Sequence, residues 1–225
     1  MNLPISAKTL LAMIAGALMA SAALAQDKTT GGDAARGHKK AAMCIGCHGI
    51  EGYQASFPEV HKVPMIAGQN AKYLLAALTA YQKGERRHPS MRSIATSLSE
   101  QDMADLAAYY ETQGGPRAEL PKEPAVQPDA KVAELLKKGA CASCHGANFS
   151  TPIDASYPKI AGQHGDYLYV ALKSYQVEKN PKVGRAHPIM RAQAAPFTHA
   201  ELKAIGKYLE TLPGDLKTVP QSKFH

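Results

Sequence analysis

At 225 residues the chain can form one or two domains, each with a core of its own. Its formal net charge of +7 admits nucleic acid, an anionic membrane surface or an acidic protein as partner. Nucleic acid is argued against by the lack of any recognisable nucleic-acid motif or aromatic-interleaved basic stripe.

In chain order, the first element is a leader. MNLPISAKTLLAMIAGALMASAALA carries one lysine (Lys8), an apolar run from Leu10 to Ala20, and Ala23-Leu24-Ala25. Charge, short apolar stretch and A-x-A in that order predict a secretory signal over residues 1–25, cleaved after Ala25. The alternative is an uncleaved anchor, but the uncharged stretch from Thr9 to Ala25 is only 17 residues, short for a membrane span. No later segment is apolar enough to cross a bilayer. The mature protein is therefore expected to be soluble and exported to a bacterial periplasm, with peripheral membrane association left open. Without the leader the basic excess lies in the second half: 11 basic and 10 acidic residues from Gln26 to Leu120, against 14 and 9 from Pro121 onward.

The second half restates the first. Cys44 matches Cys141, Pro64-Met65-Ile66-Ala67-Gly68-Gln69 matches Pro158-Lys159-Ile160-Ala161-Gly162-Gln163, and His88-Pro89-Ser90-Met91 matches His187-Pro188-Ile189-Met190. Between these landmarks Tyr73-Leu74, Ala77-Leu78 and Tyr81-Gln82 recur as Tyr167-Leu168, Ala171-Leu172 and Tyr175-Gln176, spaced to share one helix face. Helices are predicted over Ala71–Gln82, Glu100–Thr112, Lys131–Lys138, Tyr167–Gln176 and His199–Leu212, with no convincing strand. The fold class is all-α. Domains are placed at 26–115 and 129–225, joined by a linker at 116–128 whose prolines at 116, 121, 124 and 128 disfavour a helix.

All four cysteines lie in two Cys-x-x-Cys-His motifs, Cys44-Cys47-His48 and Cys141-Cys144-His145. On a helical turn the two thiols and the imidazole share a face, so the thiols can add across haem vinyl groups while the histidine ligates iron. A large apolar macrocycle would also supply burial that a domain of about 90 residues otherwise lacks. Two local disulfides are the first alternative, but a redox Cys-x-x-Cys is expected in a βαβ setting. Zinc held by two Cys-x-x-Cys pairs expects a spacing of ~15–20 residues, whereas Cys47 and Cys141 are 94 positions apart.

A sixth iron ligand is nominated by the repeat: Met91 and Met190. Met190 is the only methionine after Met103, so a thioether on the second iron must come from it. Met43, Met65 and Met103 read as core packing. His88 and His187 remain rivals that would give bis-histidine iron of lower potential, whereas methionine with histidine raises the potential.

These two motifs, the two Pro-x-Ile-Ala-Gly-Gln segments and the two downstream methionines, in tandem domains with a proline-rich linker, resemble the two-haem class I cytochromes c of the cytochrome c4 type. The resemblance spans essentially the whole mature chain. It implies two cytochrome c folds with facing haem propionate edges, two covalent haem c groups, and Pro64 and Pro158 as carbonyl partners that orient His48 and His145. It also implies single-electron transfer between respiratory partners, toward a terminal oxidase. One feature departs from the family pattern: His-Pro precedes each methionine.

With six-coordinate iron no position is open to substrate, so an electron carrier is expected rather than an enzyme. The alternatives are a dihaem subunit of a periplasmic dehydrogenase or, less in keeping with both methionines, a dihaem peroxidase or sulfur-compound dehydrogenase. Lys83, Arg86, Arg87 and Arg92 around Met91, and Lys179, Lys182, Arg185 and Arg191 around Met190, are candidates to steer an acidic redox partner, or to pair with propionates.

Overall fold

A computed structural model describes residues 31–114 and 119–221. The predicted leader at 1–25, and the start of the predicted linker, lie outside the described residues. In the N-terminal half are α1 (Ala34–Lys40), α2 (Ala42–His48), β1 (Gln54–Ala55), β2 (His61–Lys62), α3 (Ala71–Lys83), β3 (Arg86–Arg87), α4 (Pro89–Thr96) and α5 (Glu100–Thr112). In the C-terminal half are α6 (Ala130–Lys138), α7 (Cys141–His145), α8 (Gly165–Tyr175), β4 (Gly184–Arg185), α9 (Pro188–Ala194) and α10 (His199–Glu210). The expected helical class holds. Two short antiparallel ladders, β1 with β2 and β3 with β4, are added to it. Two-residue strands are too short to leave an alternating signature.

Local chemistry sets the helix ends. Capping boxes open α5 (Ser99 with Asp102) and α10 (Thr198 with Glu201), and the Asp129 carboxylate accepts from Val132 N–H at the start of α6. Helix α3 stops at Gly84, whose φ of 77° suits glycine. Helix α8 starts two residues before its predicted position because His164 and Gly165 already take up the turn.

Each half encloses its own apolar cluster. Leu74, Leu98, Met103, Leu106 and Tyr109 centre the first, and Leu168, Phe197, Leu202, Ile205 and Leu209 the second. In the first half α1 lies so close on α5 that a Cβ at Gly37 would collide with the Asp105 carbonyl. The same crossing carries a buried carboxylate. Asp105 accepts from Arg36 Nε (2.8 Å) and Nη2 (2.9 Å), from Asp33 N–H (2.7 Å) and from Gln101 Nε2 (2.8 Å).

The halves are joined reciprocally. Gln163 accepts from Met65 N–H (3.0 Å) and donates to Met65 C=O (2.8 Å), while Gln69 accepts from Lys159 N–H (3.0 Å) and donates to Lys159 C=O (3.0 Å). Each glutamine closes its own Ala-Gly-Gln segment and reads the backbone of the other copy. Strands β3 and β4 add a second seam, with Arg86 opposite Arg185. The buried Lys159 ammonium donates to Asp215 Oδ2 (2.6 Å) and Gly68 C=O (2.9 Å). Beyond α10, Lys217 bridges to Ala67 on the opposite half, and Gln221 donates to the Tyr109 hydroxyl (2.8 Å). Residues 119–129 contain neither helix nor strand. They lie against the C-terminal half, where the Pro121 and Val126 carbonyls accept from Asn148 and Tyr208.

Two outcomes follow from this packing. Gln163→Leu strands the Met65 N–H and C=O at the seam and is expected to cost about 2 kcal/mol in denaturant unfolding. Arg36, foremost among its donors, holds the Asp105 carboxyl at about 2 against an ordinary 3.8. A depressed folded-state value stabilises the protein above the unfolded value, and the gain is lost as pH falls through the folded one. Wild type is thus expected to exceed Asp105→Asn by about 2 kcal/mol above pH ~4, with the gap closing toward pH ~2 in unfolding curves.

Candidate haem sites

Cys44 and Cys47 with His48 occupy the last turn of α2, and Cys141 and Cys144 with His145 make up α7. No disulfide joins any of the four cysteines. Burial pushes the Cys44 and Cys141 thiols up to about 11. Each histidine is oriented by a proline carbonyl: His48 Nδ1 lies 2.8 Å from Pro64 O, and His145 Nδ1 lies 2.9 Å from Pro158 O. A carbonyl only accepts, so Nδ1 carries the proton and Nε2 keeps its lone pair for a metal. Burial, opposed by these carbonyl bonds, lowers the pKa of both imidazoles below the ordinary histidine value.

Met91 and Met190 are each the third residue of a short helix, α4 or α9. Both methionines line the same cavity as the Cys-x-x-Cys-His motifs. Its volume is about 1220 Å³, beyond the ~300–1,000 Å³ of an ordinary small-molecule pocket, and it runs through both halves. Of the methionines read as core, Met103 is buried as expected. Met43 is instead 48% exposed, and Met65 lines the cavity. The helical period around Met43 is set by the motif beside it, so its apolar character carried no burial signal. Among the described residues no group of three or more His, Cys, Asp or Glu side chains is placed to hold a metal ion.

The basic residues need a correction. Arg185 is buried, and Arg86, which lines the cavity, is partly so. Each donates to a tyrosine hydroxyl, Arg86 to Tyr73 and Arg185 to Tyr167, both at 3.1 Å. Each also lies over aromatic rings, Arg86 over Tyr73 and Tyr81, Arg185 over Tyr167 and Tyr175. Arg87 donates to the Val177 and Glu178 carbonyls, and Arg191 pairs with Glu178. These four are therefore committed within the fold, leaving Lys83, Arg92, Lys179 and Lys182 exposed for steering. Sequence proximity to the methionines could not separate the two groups, because the β3–β4 seam that buries Arg86 and Arg185 is formed between the copies.

The pocket fits haem c twice over. It offers apolar walls, paired thiols for covalent attachment, a histidine with a free Nε2, and a methionine. Neither Arg86 nor Arg185 has a carboxylate within ion-pair reach among the described residues, and buried guanidinium groups of this kind call for an anionic partner. The propionates of a haem are such anions.

Comparison with known proteins agrees. The family described as Cytochrome c matches residues 34–113 and again 130–213. Cytochrome c4 of Pseudomonas aeruginosa is 32% identical over 186 residues, which cover 80% of this chain and 89% of that protein. The crystal structure of reduced recombinant cytochrome c4 from Pseudomonas stutzeri has 27% identity and a TM-score of 0.56, covering 81% of this chain and all of that one. A protein of Stutzerimonas stutzeri named as a thiosulfate dehydrogenase electron acceptor is 29% identical, covering 76% of this chain and 80% of the relative. The chain belongs to the cytochrome c family as a two-domain class I member related to cytochrome c4. Its cofactors are two haem c groups, and it is a dihaem electron carrier rather than an enzyme.

Positive charge beside a haem favours the reduced, less positive iron. Arg86→Gln or Arg185→Gln in the holoprotein is expected to lower at least one reduction potential by on the order of tens of millivolts in a redox titration, where 59 mV is tenfold for one electron.

Proposed function

We propose that Cys44 and Cys47 attach the first haem, with His48 and Met91 as its axial ligands, and that Cys141 and Cys144 attach the second, with His145 and Met190. The observation that carries this is that in each copy a carbonyl-oriented histidine and a helix-borne methionine line one cavity. Pro64 and Pro158 hold the ring planes and keep Nε2 deprotonated. When bound, each haem supplies one-electron ferric–ferrous chemistry. The residues around it supply fixed ligation, a largely apolar wall and two arginines for the propionates. With a histidine and a methionine both holding the iron, no position would be left for a substrate, and the chemistry supplied would be outer-sphere electron transfer.

The domains run from 26 to 115 and from 129 to 225 in this reading, with 116–128 as connector. The protein works in the periplasm after removal of residues 1–25. No helix among the described residues is long and apolar enough to cross a membrane. Electrons are carried toward a terminal oxidase, in keeping with the similarity to cytochrome c4. A second reading is favoured by the similarity to the thiosulfate dehydrogenase electron acceptor. There the electrons arrive from a periplasmic dehydrogenase, with this chain as its acceptor or subunit.

Optical spectra of the exported protein test the ligation. Two low-spin c-type haems per chain, a far-red methionine-to-ferric band and indifference to carbon monoxide are expected. Met91→Ala and Met190→Ala should each remove about half of that band and open one iron to carbon monoxide. A wild-type spectrum without the band would sink the methionine assignment. Re-oxidation of the reduced protein by membranes, against reduction by a sulfur-compound dehydrogenase, separates the two partner readings.

A further inference from the structure

The His-Pro pair before each methionine is a repeated motif that neither haem attachment nor the seam between the halves absorbs. In the structure His88 is the N-cap of α4 and His187 the N-cap of α9, with Pro89 and Pro188 opening the two helices. His88 Nδ1 accepts from Met91 N–H at 3.5 Å, and His187 Nδ1 accepts from Met190 N–H at 3.4 Å. Proline presets the first helical φ, and the imidazole ties down the third backbone N–H, which belongs to the methionine in both copies. Histidine is not among the favoured N-cap residues. Serine or aspartate would cap with less bulk, so the imidazole calls for a further reason.

The first copy supplies one. His88 Nε2 lies 3.2 Å from the Phe57 carbonyl, and the Phe57 ring packs edge-on against the imidazole at 5.7 Å. A carbonyl only accepts and a backbone N–H only donates, so one neutral tautomer, with the proton on Nε2, satisfies both bonds. His88 thereby ties the start of the methionine helix to the segment between β1 and β2. Both of its nitrogens are engaged, which removes it as a rival iron ligand. His187 makes the backbone bond to Met190 but is exposed, and no partner for its Nε2 occurs among the described residues.

We propose that His88 and His187 are positioning residues that hold Met91 and Met190 in place for iron, and that the first methionine is held more firmly than the second. The proposal rests on the reading of Met91 and Met190 as ligands. It assigns the His-Pro-x-Met repeat a single physical role, a cap that fixes where the thioether stands, with a second tether in the first copy only.

The test uses the full holoprotein with His88→Ala, His88→Asn, His187→Ala and His187→Asn, read by the far-red methionine band and by cyanide binding to the ferric form. Loss of a cap is expected to favour the methionine-off state about fivefold. Cyanide affinity should rise by that factor at one haem, more in His88→Ala than in His187→Ala, and asparagine, itself a good cap, should restore much of the wild-type behaviour. A wild-type band that stays unmoved in both alanine variants, with unchanged cyanide binding, would overturn the proposal while leaving the ligand assignment intact. Equal loss in the alanine and asparagine variants would also overturn it, since a competent cap would then fail to hold the methionine in place. Absence of the band from wild type would instead remove the ligand reading on which the proposal stands. If His88→Ala fails to incorporate haem, the His187 pair decides the capping role alone.

Discussion

Two buried glutamines hold this protein together. Gln69 and Gln163 each satisfy a backbone N–H and C=O of the opposite copy, at Lys159 and Met65, and both side chains are nearly inaccessible to water. A buried amide is costly when left unpaired, and here each oxygen takes a second bond, from the backbone N–H of the next residue, Asn70 or His164, beside the one bond that each amide nitrogen donates. The joint therefore tolerates one register. The residues it grips lie beside Pro64 and Pro158, whose carbonyls orient the iron-facing histidines. The contact between halves and the geometry of each haem site are in this way parts of one backbone arrangement.

The same joint explains how two guanidinium groups come to face each other. Arg86 and Arg185 are opposite one another on β3 and β4, an unfavourable pairing in itself. Tyrosine hydroxyls and ring faces partly offset the cost, and the anionic edges of two haems would complete the balance. Cofactor binding would thus contribute to holding the halves together, beyond filling their cores.

Much of this was legible in the residues. The repeat, the five longer helices and the attachment motifs rest on short-range spacing, which a single sequence displays directly. Helices α4 and α9 leave little trace in the sequence because they are only seven or eight residues long, too short for a sustained period to stand out, although His-Pro ahead of methionine is itself a start signal once histidine is allowed as a cap. The fate of Arg86 and Arg185 was not legible, since it depends on a ladder between residues about a hundred positions apart. For Gln69 and Gln163 the repeat singled out the residues, but their use lies across the seam, where no local rule reaches.

The segment after α10 belongs by sequence to the second copy, yet it runs onto the first. Lys217 pairs with Ala67, its ammonium donates to the Gly114 carbonyl, and Gln221 reaches Tyr109; Val219 and Gln221 close a small hollow against Ile45 and His48, behind the first attachment helix. The wall behind His48 is thus completed by a segment from the second copy. A polypeptide that stopped before this segment would carry its first Cys-x-x-Cys-His motif with that wall unfinished. The two copies descend from one pattern, but they are no longer interchangeable modules: cutting between them leaves the first without its back and the second with a tail that has lost its seat.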